Sequence, residues 1–295
     1  MHDFHAEIKL KKRINKSDRY QLVVSDLDGT MLDTGHHIPE ENLKAARALR
    51  EAGIDLTLAT GRMDGMARLF VHELEINLPI IACNGAIIRN CETESIIQQH
   101  ILPEAQCRAL IEWLIKMEID FLAYHADAVF YPDQSISIQY FFDYNARAQA
   151  GGIKTIPVYK LESHYKTTGV EFLKIMVRVP DPDRYAALCS FLQTLNQCEA
   201  VQSMDYAIDI MAKGVSKGQA LRELAEWLKI DMRKIVAIGD HDNDVSMINA
   251  AGTGIAMGNA TKSVKLISDV ETAENSEAGF AKAVYRYMLP GASRI

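Results

Sequence analysis

Short apolar runs alternate with longer amphipathic segments in the first third of the chain. A short run rich in Val, Ile and Leu is typical of a buried strand, whereas apolar residues three or four apart are typical of a helix with one buried face. The pattern predicts strands at 20–25, 54–59 and 79–83 and helices at 39–52 and 63–74. This β-α-β-α-β order indicates parallel strands joined by right-handed crossovers, as in an open α/β sheet.

The rhythm changes after Asn84-Gly85, where strands begin to occur in pairs and helices are set apart from them. That arrangement is typical of a separate α+β unit. Helices are predicted around Cys107 and from Asp181-Pro182 onward. The strands predicted in this part lie at 86–90, 95–102, 121–131, 170–179, 200–203 and 206–211.

The α/β rhythm then returns in the last third of the chain. Helices predicted at 216–229 and 242–250 alternate with strands predicted at 234–239 and 253–257. The fold class we expect is therefore α/β, with a Rossmann-like, mostly parallel sheet as the core and an inserted α+β cap domain.

The expected domain layout has three parts. Residues 20–85 and 211–295 form the α/β core, and residues 86–210 form the cap domain inserted into it. Residues 1–19 carry six basic side chains but lack the apolar centre of a secretory signal. We expect them to form a solvated basic extension.

Polar segments stand directly after three of the predicted core strands. They are Asp-Leu-Asp-Gly-Thr at 26–30, Thr-Gly-Arg at 60–62 and Gly-Asp-His-Asp-Asn-Asp at 239–244, and Lys217 opens the helix that follows the cap. Turn and helix-cap chemistry explains any one of them taken alone. Because ligands bind at the carboxyl ends of the strands in open α/β sheets, the ordered combination favours one shared site.

Asp26 and Asp28 are two carboxylates on one tight turn, so both can face a common site. A carboxylate can act as a nucleophile that forms an aspartyl-phosphate, and its neighbour can act as general acid and then as general base. Like charges so close resist joint ionisation. Mg²⁺ prefers oxygen ligands and would offset the repulsion, and Asp240 arrives from another strand end as a further ligand.

Thr60-Gly61 and Lys217 are candidates for binding an anion. A hydroxyl group and backbone N–H groups at the start of a helix form a favourable place for an anion. A lysine at the same end of a helix is disfavoured by the helix dipole. The position of Lys217 therefore indicates an anionic neighbour.

Two competing motifs do not fit. The Asp spacing at 240–244 is similar to the start of an EF-hand loop, but Val245 replaces the required Gly and Ala251 the bidentate Glu. Gly-Thr-Gly at 252–254 is similar to a dinucleotide-binding loop, but it follows a predicted helix, and position 257 is Met. Neither a Gly-x-Ser-x-Gly elbow nor zinc-like histidine spacing is present.

Composition disfavours several kinds of partner. The 32 basic and 39 acidic residues give a formal charge of −7, which does not favour nucleic acid. No apolar run approaches the roughly 18 residues of a membrane helix, so no membrane partner is expected. The five cysteines are odd in number and form no Cys-x-x-Cys pair, which indicates a reduced, cytoplasmic protein and no disulfide framework.

The ordered set of motifs resembles that of the haloacid dehalogenase-like hydrolase superfamily, and more narrowly its Cof-type sugar-phosphatase branch. The resemblance is carried by DLDGT (26–30), ATGR (59–62), NGA (84–86), GVSKGQAL (214–221) and GDHDND (239–244). It extends from about residue 20 to the C-terminus and leaves the basic extension outside. The resemblance implies a cap inserted between the second and third motifs of the superfamily.

The resemblance also implies a role for each matching residue. Asp26 would be the nucleophile and a Mg²⁺ ligand, Asp28 the general acid and base with its backbone carbonyl on the metal, and Asp240 the remaining protein ligand. The residues that would hold the phosphate are Thr60, Gly61, Lys217 and Asn243. Asp244 would support the metal-bound waters or Lys217.

The expected function is Mg²⁺-dependent hydrolysis of small phosphomonoesters, such as sugar phosphates or phosphorylated cofactors, through an aspartyl-phosphate. A phosphotransferase or phosphomutase would use the same intermediate, and a non-catalytic sensor would only bind the phosphate ligand. The intact set of proposed catalytic residues favours an enzyme over a sensor. We expect a monomer or weak homodimer whose partner is a small phosphate ester.

Overall fold

The computed structural model of the chain describes residues 20–161, 171–204 and 206–289. The basic extension expected at 1–19 lies outside the described residues, and so does residue 170, the first of the strand predicted at 170–179. In the part of the chain that is described, no helix combines the length and the apolar character needed to cross a membrane.

The described residues form fourteen strands and nine α-helices. The strands are β1 (Leu22–Ser25), β2 (Asp55–Leu58), β3 (Ile80–Ala82), β4 (Ile87–Arg89), β5 (Ile96–Gln99), β6 (Asp120–Tyr124), β7 (Val129–Tyr131), β8 (Val158–Lys160), β9 (Lys174–Arg178), β10 (Cys198–Met204), β11 (Ala207–Ala212), β12 (Ile235–Gly239), β13 (Thr253–Ala256) and β14 (Val270–Glu271). The helices are α1 (Glu40–Glu51), α2 (Asp64–Glu73), α3 (Glu104–Lys116), α4 (Gln139–Ala150), α5 (Pro182–Leu192), α6 (Lys217–Leu228), α7 (Val245–Ala250), α8 (Lys262–Ile267) and α9 (Gly279–Ala283).

The core sheet has five strands in the order β14-β13-β12-β1-β2. β1 pairs in parallel with β12 on one side and with β2 on the other. All four residues of β1 are buried, as expected for a parallel strand covered by helices on both faces. The prediction of a Rossmann-like α/β core is confirmed.

Successive residues of β1 pack into different apolar clusters. Val23 joins the cluster that contains side chains of α1, α2 and α9, whereas Leu22 and Val24 join the cluster that contains side chains of α6, α7 and α8. Side chains of a strand alternate between the two faces of its sheet. In the described residues the core is therefore a sheet between two helical layers.

The hairpin of β4 and β5 belongs with the core. It pairs with β3, and one parallel bridge between Ala59 and Ile81 joins this small antiparallel sheet to the end of β2. Leu102 then donates its backbone N–H to the carbonyl of Phe172, in the apolar cluster of the cap. Although residues 86–100 were expected in the cap, we propose on this pairing that the boundary lies near residue 101.

The cap is built on a six-stranded sheet in the order β10-β11-β9-β6-β7-β8. One face packs against α3 and α5, where the rings of Trp113 and Phe191 stack with their centroids 4.8 Å apart. The other face and α4 pack into the same apolar cluster as the core helix α2. The inner face of the cap sheet is therefore turned toward the core.

The sequence pattern does not predict α4 or β8. The buried residues of α4 are Phe141, Tyr144 and Ala148, which have helical spacing. Two partly exposed aromatic residues, Tyr140 and Phe142, stand beside them and obscure the period.

Candidate active site

Three carboxylates from two turns meet at one edge of the core sheet. Ser25, the last residue of β1, pairs with Ile238 of β12, so the turns that follow these strands leave the sheet side by side. Carboxylate oxygens of Asp26, Asp240 and Asp244 all lie within 4.8 Å of one another. The site therefore lies where parallel strands are expected to bind a ligand.

Lys217, the first residue of α6, lies between two of these carboxylates. Its Nζ donates to Oδ1 of Asp26 at 2.5 Å and to Oδ1 of Asp244 at 2.6 Å, and its side chain is fully buried. Burial alone would lower the pKa of Lys217, but the charges of Asp244 and Asp26 outweigh it and raise the pKa above its ordinary value. Lys217 is therefore a fixed positive charge.

Asp244 holds Lys217 in place. Its Oδ2 accepts the backbone N–H groups of Asp240 and His241, at 2.9 and 3.1 Å, while Oδ1 accepts from Lys217. The backbone N–H of Asp244 donates to the carbonyl of His241 at 2.8 Å within a 3₁₀ turn, Asp242–Asp244, so α7 begins at Val245 and not at residue 242 as predicted. With both oxygens engaged, Asp244 suits the support of Lys217 better than the binding of a metal.

Asp240 is fixed by the turn that follows β1. Thr30 donates its hydroxyl to Oδ1 of Asp240 at 2.8 Å. Gly29 has a φ of +78°, and a Cβ at this position would lie 2.3 Å from Oδ2 of Asp240. Glycine is therefore the residue that lets this backbone pass so close to the carboxylate.

The crowding of carboxylates raises two pKa values. Burial, followed by the charge of Asp244, raises the pKa of Asp240 to about 7. Burial raises the pKa of Asp26 well above its ordinary value; Lys217 opposes this, and the neighbouring carboxylates add to it. Both shifts therefore arise first from burial and then from the repulsion between neighbouring carboxylates.

Asp28 points away from this cluster and toward Arg62. The guanidinium of Arg62 donates from Nε to Oδ2 of Asp28 at 2.7 Å and from an Nη to Oδ1 at 2.5 Å. His36 lies on the solvent side, with Nδ1 3.4 Å from Oδ1 of Asp28. Arg62 belongs to the ATGR motif at 59–62, but it was assigned no function from the sequence alone. Its contact with Asp28 is visible only in the structure. The signal was its position directly after Thr60-Gly61.

Thr60, Gly61 and Asn243 come together around Asn84. The backbone N–H of Asn84 donates to the carbonyl of Thr60 at 3.0 Å, and Nδ2 of Asn243 donates to Oδ1 of Asn84 at 2.9 Å. A Cβ on Gly61 would lie 3.0 Å from the same Oδ1. The predicted phosphate-binding residues thus form two groups, these three and Lys217 beside Asp26.

The residues at this edge fit a divalent cation. Asp26, Asp28, Asp240 and Asp244 would carry four negative charges, against the two positive charges of Lys217 and Arg62. The difference, four minus two, leaves two negative charges in a largely buried place. The donors are all oxygen atoms, as a hard cation requires.

Similarity to known proteins extends over most of the chain. A family model described as haloacid dehalogenase-like hydrolase matches residues 23–284. The phosphatase YwpJ of Bacillus subtilis is 27% identical in an alignment of 282 residues that covers 88% of this chain and 97% of YwpJ. The pyridoxal phosphate phosphatase YbhA of Escherichia coli is 27% identical over 272 residues, which are 91% of this chain and 99% of YbhA.

A solved structure gives the same result for the fold. A haloacid dehalogenase-like hydrolase from Bacteroides thetaiotaomicron superposes with a TM-score of 0.76 at 27% identity, covering 90% of this chain and 99% of that one. The similarity therefore includes the inserted cap as well as the core. The resemblance drawn from the motifs is confirmed, and the chain belongs to the haloacid dehalogenase-like hydrolase family.

Proposed function

We propose that the chain is a Mg²⁺-dependent phosphatase that hydrolyses small phosphomonoesters, such as sugar phosphates or phosphorylated cofactors, through an aspartyl-phosphate on Asp26. The observation that carries the proposal is a buried carboxylate held at 2.5 Å by the fully buried ammonium group of Lys217. A carboxylate that is desolvated and fixed in this way suits nucleophilic attack on phosphorus.

The reaction needs two steps. Lys217 binds Oδ1 of Asp26, so we assign Oδ2 to the attack. The bond from Asp26 to phosphorus forms while the ester bond breaks, and Asp28 gives a proton to the leaving alkoxide. Water then attacks phosphorus and passes a proton to Asp28, the bond to Asp26 breaks, and inorganic phosphate leaves.

Neighbouring groups would hold the phosphoryl oxygens. Oγ1 of Thr60 accepts the backbone N–H of Arg62 at 3.1 Å, which leaves the hydroxyl hydrogen for a phosphate oxygen. Asn243 gives one amide hydrogen to Asn84 and keeps the second for the ligand. The backbone N–H of Gly61 and the charge of Lys217 complete the set.

The carboxylates of Asp26 and Asp240, with the backbone carbonyl of Asp28, are the groups that we assign to Mg²⁺. The bound ion would supply positive charge against the phosphoryl oxygens. Arg62 donates to both oxygens of Asp28, which orients this side chain and favours its ionised form, the form that accepts a proton from water. One of the two bonds must break before Asp28 can carry the proton for the leaving group.

The size of the substrate follows from the position of the cap. Tyr144 of α4 donates its hydroxyl to the carbonyl of Gly65 in α2 at 2.6 Å. The start of α2 follows residues 60–62, which we call the phosphate-binding turn. A cap docked so near the site leaves room for a small leaving group. The similarity to YbhA, named as a pyridoxal phosphate phosphatase, supports a phosphorylated cofactor as one candidate.

A phosphate-release screen tests the proposal. Sugar phosphates, nucleotides, phosphorylated cofactors and an aryl phosphate are each supplied with Mg²⁺ and, separately, with excess chelator. We expect inorganic phosphate from at least one ester, its loss with chelator and its return when Mg²⁺ is restored. Full activity in chelator would exclude the metal, an isomerised sugar phosphate would indicate a phosphomutase, and binding without turnover would indicate a sensor.

A further inference from the structure

The turn after β3 has an unusual backbone. Cys83, Asn84 and Gly85 have φ values of +49°, +56° and +101°, so three successive residues lie in the left-handed region. Such a conformation is costly for residues other than glycine and persists where the surroundings enforce it. A Cβ on Gly85 would lie 2.3 Å from the carbonyl oxygen of Ser216, so the turn is packed against the start of α6.

This turn places the side chain of Asn84 between core and cap. Oδ1 accepts from Asn243 in the core, and Nδ2 donates to Oδ2 of Asp209 in the cap at 2.6 Å. The backbone N–H of Asn84 also binds the carbonyl of Thr60. Asn84 is 1% exposed, so these bonds are formed away from water, where losing one is costly.

The cap contributes a buried ion pair at this point. Lys174 of β9 lies opposite Met211 of β11, so Asp209 is its diagonal neighbour on the same face of the sheet. Nζ of Lys174 lies 3.0 Å from Oδ1 of Asp209 and 4.5 Å from the ring centroid of Tyr124. Lys174 and Asp209 are 3% and 1% exposed.

Lys174 also reaches the phosphate-binding turn itself. Its Nζ donates to the carbonyl of Gly61 at 2.8 Å. A peptide unit is planar, so fixing this carbonyl also fixes the N–H of Arg62 in the same unit. That N–H donates to Oγ1 of Thr60, which sets the direction of the hydroxyl.

We propose that Lys174, Asp209 and Asn84 form a positioning relay through which the docked cap arranges Thr60, Gly61 and Asn243 for phosphate. Lys174 acts on the Gly61 peptide, and Asp209 acts through Asn84 on Asn243. None of the three touches the reacting atoms, so they are positioning residues. The inference rests on the proposed function, because it concerns how the same site binds phosphate.

The relay has a consequence for catalysis. With the cap displaced, the Gly61 peptide loses its contact with Lys174, and Asn84, which binds the Asn243 amide, loses its contact with Asp209. Phosphate is then bound weakly, and the site gains its full affinity only when the cap returns. Cap closure thus completes the phosphate-binding site as well as covering it.

The test is calorimetric binding of inorganic phosphate in the presence of Mg²⁺, together with KM and kcat for an aryl phosphate. The first variant is Lys174→Met with Asp209→Asn, which removes both charges and leaves neither one buried alone. The second is Asn84→Gly, which tolerates the left-handed backbone and deletes the linking amide. Phosphate affinity should fall about tenfold or more in each, with KM raised in parallel.

The control is Lys154→Met. Lys154 of the cap binds Glu94 of the core at 2.7 Å, on an exposed part of the same interface away from the phosphate-binding turn. This variant should keep its phosphate affinity within about twofold of wild type, since exposed ion pairs contribute little.

The outcomes separate the relay from the proposed function. If the double variant or Asn84→Gly folds and binds phosphate within about twofold of wild type, the relay is overturned. Asn84→Gly introduces no buried charge, so it decides the matter if the double variant does not fold. Wild type that binds phosphate without hydrolysing the ester refutes the proposed function alone, and wild type that binds no phosphate refutes both.

Discussion

Lys217 fixes the arrangement of the carboxylates, because it is the fully buried cation between Asp26 and Asp244. Replacing Lys217 by Met would leave both carboxylates buried without their counter-charge. We expect the free energy of unfolding to fall by about 3–5 kcal/mol. We also expect kcat/KM to fall by about 10²-fold or more, since the phosphoryl group would lose a charged donor.

Denaturant unfolding and steady-state kinetics measure the two effects of Lys217→Met. Lys213→Met is a matched control, because Lys213 precedes α6 and is exposed to solvent. A Lys217→Met variant as stable and as active as Lys213→Met would contradict the role of the buried ammonium group.

The cysteines give a second prediction for individual residues. All five lie within the described residues as free thiols, and burial raises the pKa values of Cys83, Cys91 and Cys107 to about 12. Since the thiolate is the reactive form, these three should resist alkylation of the native protein at pH 8. Mass spectrometry should find the label first on the half-buried Cys189, and on all five after unfolding. Rapid labelling of Cys83 in the native protein would show that this thiol is accessible to solvent and would contradict the prediction.

The close packing of α6 and α7 sets the position of Lys217. A Cβ on Gly218 would lie 2.3 Å from the carbonyl oxygen of Ser246 in α7, so Gly218→Ala must push the two helices apart. We expect a loss of about 1–3 kcal/mol in stability. Because a small displacement of a binding group is costly, kcat/KM should fall about tenfold or more.

Gly151→Ala is the control for this substitution. A Cβ on Gly151, at the end of α4, would meet its nearest atoms at 3.5 to 3.8 Å, which is ordinary contact. Thermal unfolding and kinetics of the two variants are compared. Equal behaviour of the two would mean that the approach of α6 to α7 does not position Lys217.

The core strands and the turns after them could be predicted because an apolar run is sufficient evidence for a buried parallel strand. β1 and β12 are continuous apolar runs, and the polar residues that follow them must emerge at one edge. The hairpin of β4 and β5 was predicted. Its pairing with β3 was not, because the pattern of apolar and polar residues does not show which strand edge is free to pair.

The contacts that Lys174 and Asp209 of the cap make with the core could not be predicted for a related reason. Lys174 and Asp209 each interrupt an apolar strand, which is a signal that something is paired inside. Their mutual contact depends on the register of β9 and β11, and their contact with Gly61 depends on the docking of the cap. The role of Asn84 depends on a left-handed backbone at three successive residues. Asn-Gly is typical of such a backbone, but Cys83 is not.

At the scale of the whole molecule, core and cap meet along two sides. On one side Arg89 of β4 donates to the carbonyl of Ala126 and to Asp127 of the cap, at 2.9 and 2.7 Å. On the other side Lys174 donates to the carbonyl of Gly61, and Asp209 accepts from Asn84. Contacts at both sides hold the cap over the site. In the contacts on the first side, β4 belongs to the core.

Hydrogen exchange under increasing urea tests the boundary proposed near residue 101. Peptides from β4 and β5 should lose protection at the same urea concentration as peptides from β1, because they share the core sheet and its extension. They should not follow β6 and β9 of the cap. If β4 lost its protection together with β6 and separately from β1, the boundary between core and cap would lie at residue 86, as the sequence predicted.

The proposed mechanism requires that Asp26 carry the phosphoryl group during turnover. Its most direct test is acid quenching of an Asp28→Asn variant mixed with Mg²⁺ and a ³²P-labelled aryl phosphate, followed by mapping of the label. An aryl leaving group needs little help from an acid, whereas water does need the base, so the variant should accumulate a base-labile phosphoryl group on Asp26. Asp26→Asn should show none. Label on another residue, or equal turnover by wild type and Asp26→Asn, would contradict the mechanism.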